Sequence, residues 1–370
     1  MSFMPDSTRL RSTVEALSAL STRNTLSDGC AQAAEWIAAH LAQIPGIEVE
    51  TMRYVMPKGR RVPEPRFAPN VIGTLPGRTD RRIVLSAHFD SLNLSVRPHE
   101  PGAPGANDDA SGVAAVLEVA RLLAAIQPEC TIHFALLSGE EQGLLGAHAL
   151  AQRAQREHWN LEAVLNNDTI GSSGNLLGLS DPTAIRVFSE ESPRHNAREL
   201  ARWMEWQTRQ HLSDFRVKLV LRRDRFGRGG DHTPFTMRGF SAVRLTEVHE
   251  EYSRQHTPDD LIEHMDFDYL AHVTQINALC AASLAQSEPA PSFVRIVRDQ
   301  SHSTTLRWQG NSGQKYAIYW RDTASATWRG CREITPEGDA FTLQTTIDRV
   351  NKDDHFFAVA SLGGIPQPAQ

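Results

Sequence analysis

Two adjacent carboxylates, Glu140 and Glu141, sit in the stretch LLSGEEQGLLGAHAL, directly behind the apolar run Phe134 to Leu137. That run reads as a buried strand, broken by the Ser-Gly pair before the acids. Like charges side by side repel unless something positive lies against one of them. Other segments carry residues that would bind a positive ion: His88 in SAHFDS, Asp108 in GANDDASG, Asp168 in LNNDTIG and His256 in RQHTPDD. Together with Glu141 they make a set of two imidazoles and three carboxylates, a mixture that suits zinc first, with manganese or cobalt as substitutes.

A single zinc ion needs three protein ligands and a water, whereas five ligands serve two ions if one carboxylate bridges them. Asp108, in the middle of the set, is the best bridge. With Glu141 neutralised by metal, Glu140 is left free beside water acidified by the ions, placed to take a proton and pass it on. The chemistry expected is metal-assisted hydrolysis in which the two neighbouring acids divide the labour.

These residues need a scaffold that gathers them. SDGCAQAAEWIAAHL has helical spacing and IPGIEVETMRYV alternates like a strand. RRIVLSAHFDS, TIHFALLSGEE and LEAVLNNDTIG read as further strands, and SGVAAVLEVARLLAAI and GLLGAHALAQRA as helices between them. This alternation predicts an α/β fold with a mostly parallel, mixed central sheet covered by helices on both faces. Ligands in such sheets collect outside the carboxyl ends of the strands, where His88, Glu140, Glu141 and Asp168 fall, with Asp108 in a loop before a helix.

The texture changes near Ser287. SEPAPSF reads as a Pro-rich linker, followed by short alternating strands with Trp308, Tyr316, Tyr319 and Phe357 suited to a sandwich core. The division expected is a catalytic domain over 1–287 and an all-β sandwich over 288–370. The pattern TTLRWQG, QKYAIYWRDT, HFFAVASLGG resembles a fibronectin type III domain, whose expected part here is a spacer or a partner packed on the first domain.

Six motifs in order, SAHFDS, GANDDASGVAAVLEVARLL, LLSGEEQGLLGAHALA, VLNNDTIG, GDHTPFTMRGFSAVRLTE and QHTPDD, resemble the co-catalytic di-zinc aminopeptidases, over nearly all of the first three quarters of the chain. The resemblance implies that His88 and Asp168 hold one zinc, Glu141 and His256 the other, and that Asp108 bridges both. It implies Glu140 as general base, Asp90 as the aspartate orienting the ligand imidazole, and a cis peptide bond between Asp108 and Asp109. The implied substrates are the N-termini of peptides or proteins, and the implied location is periplasmic or secreted, with cytoplasmic as the alternative. A relative's Tyr before the last histidine is replaced by Gln255, which leaves the role of polarising the substrate carbonyl to Arg228, Tyr252 or His232. Asp231 and His232 in GDHTPF are expected to serve local structure. Glutaminyl cyclase, with one zinc, and a carboxypeptidase of the same clan are the rival enzymes, and a non-enzymatic receptor or scaffold on a peptidase fold is the rival of another class.

Composition excludes other classes. A formal charge of -6 argues against nucleic acid as a partner, and the run Arg222, Arg223, Arg225, Arg228 reads as solvated loop. Cys30, Cys130, Cys280 and Cys331 form no CxxC pair, which argues against a thiolate metal site or a disulfide-dense scaffold. No apolar run has the length of a signal peptide core or a membrane span, so the chain reads as soluble. His133, His148, His195 and His264 read as hydrogen-bonded loop residues, and Trp203, Trp206 and Phe215 as core or pocket wall.

Overall fold

In the computed structural model, which describes residues 3–299, 301–339 and 341–370, eight strands form one mixed sheet. They are β1 (Glu48–Met56), β2 (Arg66–Leu75), β3 (Arg81–His88), β4 (Thr131–Leu137), β5 (Asn160–Asn167), β6 (Ala184–Phe188), β7 (Arg216–Val220) and β8 (Ala242–Glu247), in the order β1-β2-β4-β3-β5-β8-β6-β7. The middle strands β4, β3, β5 and β8 run parallel, while β1, β2 and β6 enter by antiparallel pairings. The helices are α1 (Ser7–Ser18), α2 (Asp28–Ala42), α3 (Ser111–Leu123), α4 (Leu145–Arg156), α5 (Ala197–His211), the single turn α6 (Thr233–Thr236) and α7 (Phe267–Gln286).

Period-two alternation sends each central strand's side chains to two different cores. Ile83, Leu85 and Ala87 of β3 join α1, α2, α3, α5 and α7 on one face, whereas Val84 joins Leu150, Ala151 and Phe235 from α4 and α6 on the other. Both faces are therefore dry, which explains why the central strands are unbroken apolar runs. Among the described residues no helix is long and apolar enough to cross a membrane.

His133 lies inside β4 rather than in a loop, and His148 lies on α4. The His133 ring stacks on Trp159, with centroids 4.6 Å apart, and its Nε2 accepts from Arg82 Nη1 at 3.0 Å. Nδ1 is then the protonated nitrogen and donates to Thr74 Oγ1 at 3.0 Å. Burial, with Arg82 and Arg153 nearby, pushes its pKa down from 6.5 to about 3. Between those values the unfolded chain binds a proton that the folded chain refuses, so this residue removes stability as pH falls through that window. Thermal unfolding of His133→Gln is expected to lose less midpoint temperature than the parent between pH 6.5 and 4; parallel curves would contradict this.

After α7 the chain forms two antiparallel sheets, β13-β10-β9 and β12-β11-β14-β15, from β9 (Ser292–Ile296), β10 (Thr304–Gln309), β11 (Tyr316–Asp322), β12 (Gly330–Ile334), β13 (Leu343–Ile347), β14 (His355–Ser361) and β15 (Gln367–Pro368). Trp308, Tyr316, Ile318 and Phe357 fill the space between them. Tyr319 does not, because on β11 it alternates with Ile318 to the other face, where it meets Trp206 of α5 edge-on at 5.6 Å. Trp206 is thus neither core nor pocket wall but the joint between the two units. Trp203 and Phe215 are core. Arg202 Nε and Arg209 Nη2 of α5 reinforce the joint by donating to the carbonyls of Ala326 and Trp328 at 2.9 and 2.7 Å. All four cysteines are free.

Candidate metal centre

Four parallel strands end on the same edge of the sheet, and the site is built there. His88 is the last residue of β3, Glu140 and Glu141 follow β4 after the positive-φ turn at Gly139, and Asp168 follows β5. Asp108 lies in the π-turn 106–110 that leads into α3, and the peptide bond between Asp108 and Asp109 is cis. His256 arrives on the loop after β8 with φ 58°, a left-handed conformation that histidine tolerates better than most side chains. Its carbonyl accepts the Leu94 N–H at 3.1 Å, which fixes the backbone there.

The five residues form two triads that share one member. His88, Asp108 and Asp168 make the first, and Asp108, Glu141 and His256 the second. The Asp108 carboxylate divides itself between them: Oδ1 lies 3.1 Å from His88 Nε2 and Oδ2 3.3 Å from His256 Nε2. Asp168 Oδ1 stands 3.9 Å from His88 Nε2, and Glu141 Oε1 3.0 Å from His256 Nε2.

These groups fit divalent cations. Glu141 Oε1 is buried and makes no hydrogen bond although His256 Nε2 is so close. Lone-pair atoms that face each other without hydrogen-bond geometry are arranged as ligands of a common ion are. The electrostatics agree: burial alone would lower the His256 pKa, yet Asp108 and Glu141 push it up to about 11, so the cluster calls for positive charge. Burial raises Glu140 well above the carboxylate range, and Glu141 and Asp168 add to this against the opposing pull of His88.

Asp90 acts differently from the sequence expectation. His88 Nδ1 donates to the backbone carbonyl of Asp90 at 3.0 Å, while the nearer carboxylate oxygen is 3.6 Å away. The carboxylate instead accepts the N–H groups of Glu140 and Glu141 at 3.3 and 3.2 Å and the Thr25 hydroxyl at 3.0 Å. Asp90 therefore orients the imidazole through its main chain and holds the Glu140–Glu141 turn with its side chain, as residues behind metal ligands commonly do.

Several contributors were not expected from sequence. Asp109 accepts from the backbone of His88, Gly112 and Thr169, and so ties together three of the loops. Asp260 accepts the N–H groups of Asn107 and Asp108 at 2.9 and 3.0 Å. Arg23, fully buried, donates to the carbonyls of Pro104 and Gly105, just before Asp108. Arg244 Nη2 lies 3.1 Å from Asp168. The doubled Asp108-Asp109, parallel to Glu140-Glu141, was the one signal in the sequence that could have exposed Asp109.

A cavity of about 320 Å³ opens onto the two triads and is lined by Glu140, Leu144, Arg61, Arg225, Arg228, Arg244 and Gln255 beside the ligands. The arginine run is therefore not simply solvated: the Arg225 side chain is 9% exposed and pairs with Asp224 and Glu250. The composition of the run hides this, because only Asp224 lies within it and Glu250 comes from the loop after β8. Of the three side chains considered for polarising a carbonyl, Arg228 lines the cavity. His232 Nε2 donates to the Arg223 carbonyl and the Tyr252 hydroxyl to Glu250. Asp231 is buried with both carboxylate oxygens lacking a hydrogen bond, and burial next to Asp90, Asp168 and Glu141 raises its pKa to about 8 against the pull of His88. A wider cleft, about 610 Å³, runs along Asn196, Phe293 and Gln370, but among the described residues no acidic or histidine side chain lines it.

Comparison with known proteins places this geometry. A probable zinc metalloprotease of Leptosphaeria maculans is 34% identical over 93% of this chain and 87% of its own length. The zinc aminopeptidase BSAP of Bacillus subtilis superposes with a TM-score of 0.62 at 16% identity, covering 76% of this chain and 96% of that one. A glutaminyl cyclase of Bacteroides thetaiotaomicron, bound to N-acetylhistamine, superposes with a TM-score of 0.59 at 18% identity, covering 75% and 98%. At such identities the superpositions speak for the fold. The family model for peptidase family M28 matches residues 70–281, the span that holds all five candidate ligands and Glu140, and the chain belongs to that family.

Proposed function

We propose that this peptidase removes residues from the N-termini of peptides over two zinc ions, with Glu140 as the general base. The observation that supports the reading is the pair of triads sharing Asp108, with a partly buried carboxylate that belongs to neither triad lining the same cavity. Among the fold neighbours, the Bacillus subtilis protein is a zinc aminopeptidase, which favours the same reaction here.

His88, Asp108 and Asp168 would hold one ion and Asp108, Glu141 and His256 the other. When bound, the ions supply Lewis acidity and acidify water towards a pKa of about 7. Glu140 takes a proton from the attacking water as its oxygen adds to the peptide carbonyl. It returns that proton to the nitrogen as the C–N bond breaks, so the amine leaves neutral. Asp90 keeps Glu140 in place through the backbone N–H groups it accepts.

Free and N-acetylated versions of the same peptides test which terminus is read. Acetylation removes a charge-assisted contact worth about 1.5–3 kcal/mol, so kcat/KM is expected to fall by roughly ten- to a hundredfold. Equal turnover of blocked peptides would overturn the N-terminal reading in favour of another cleavage mode. Release of pyroglutamate from a glutaminyl peptide, without hydrolysis, would move the protein to the cyclase reaction.

A further inference from the structure

We infer that the substrate presents a carboxylate within a residue or so of the scissile bond, recognised by Arg228 and Arg61; this rests on the peptidase reading above and names its substrate class. A site for an apolar first residue would need apolar walls. Among the described residues Leu144 is the sole aliphatic side chain lining the cavity, and four arginines lie around it.

The four are not equivalent. Arg244 is fully buried between Asp168 and Asp224, and Arg225 is held by Asp224 and Glu250, so both charges are neutralised within the protein. Arg228 Nη2 donates to the neutral Gln255 Oε1 at 3.1 Å and its guanidinium lies 5.4 Å from the Tyr252 ring centroid. Among the described residues no carboxylate lies within ion-pair distance of it. Gln255 is itself anchored by donating to Glu250, and it directly precedes the ligand His256, so the Arg228 fork is tethered one residue from the centre. Arg61, on the turn between β1 and β2, donates to the Glu141 carbonyl and has Glu141 Oε2 3.9 Å away, an acid that a bound ion also draws on. Arg228 thus reaches the cavity with no carboxylate partner among the described residues, and Arg61 reaches it with only a long contact to Glu141. A planar fork on the substrate side matches a carboxylate in a way that neither an amide nor an aliphatic group does.

Two sources would present that carboxylate: an acidic first side chain, or the free C-terminus of a dipeptide. Matched pairs separate them. The zinc-loaded full-length protein is assayed on Glu-Ala-amide against Gln-Ala-amide, and on Leu-Ala against Leu-Ala-amide. The acid member of at least one pair is expected to exceed its neutral partner by about tenfold or more in kcat/KM. In Arg228→Gln, or in Arg228→Gln combined with Arg61→Gln, that ratio falls towards one, and Arg228→Lys restores part of it. Ratios at or below one in both pairs for the unmodified protein would overturn the inference, as would a preference that survives the double substitution. The unmodified protein decides the first point even if a variant folds poorly. N-acetylated copies of the pairs keep the two readings apart: acetylated peptides cleaved with the acid preference intact count against N-terminal cleavage and for the arginine assignment, whereas free-amine peptides cleaved without preference count the other way.

Discussion

Replacing Glu140 with Gln is expected to lower kcat by about 10²–10⁴-fold while the bound metal stays at the parental level. Gln keeps the shape of the side chain and cannot accept a proton from water. Glu140 belongs to neither ligand triad, so its loss removes no donor to the ions. The adjacent position behaves in the opposite way. Glu141→Gln takes away an oxygen from the second triad and is expected to lose metal first and activity as a consequence. Elemental analysis of both variants beside single-turnover rates separates the effects. If Glu140→Gln turned over substrate within tenfold of the parent, the assignment of the general base would fail.

Asp108→Ala should be the most damaging change to the metal content. Each oxygen of this carboxylate faces a different histidine, so one substitution weakens both triads, whereas Asp168→Ala or Glu141→Ala touches one. The metal content is expected to fall from about two ions per chain to below about one in Asp108→Ala, and to about one in each of the others. A ligand present at 1,000 times its dissociation constant adds about 4 kcal/mol to stability. The unfolding midpoint of the parent should therefore drop on chelation, while that of Asp108→Ala should hardly respond. Unchanged metal content in Asp108→Ala would remove the bridging role.

Candidate ligands stood out in the sequence where a residue ends or follows an apolar strand, since a polar or acidic residue in that position has few structural reasons to recur at several strand ends. His88, Glu141 and Asp168 are of this kind. The mixed central sheet was legible for the same reason, from long apolar runs and helices of regular period. What escaped were features that depend on partners distant in sequence. Arg225 in its charged run looks solvated until Glu250, from the loop after β8, joins the adjacent Asp224 around it. Arg23 looks like any loop arginine, yet it is buried and saturated by carbonyls. The strands β6 and β7 are five residues each, and β7 alternates Arg216, Val217, Lys218 at the sheet edge, where charged residues protect against pairing with another chain and also hide the strand signal. The side-chain role of Asp90 escaped because a resemblance carries over a residue's identity more surely than the atom through which it acts.

The placement of the donors along the chain has a consequence for biosynthesis. The first imidazole is at position 88 and the last at 256, and β8, which leads to the latter, pairs with β5 in the interior of the sheet. A nascent polypeptide therefore cannot bring all five candidate ligands together until almost all of the α/β unit has emerged from the ribosome, and pairings of such long sequence separation form slowly. The expected result is that apoprotein made in metal-depleted cells is recovered as a folded species and is activated by adding zinc afterwards; apoprotein recovered only unfolded would show that the ion is needed during folding.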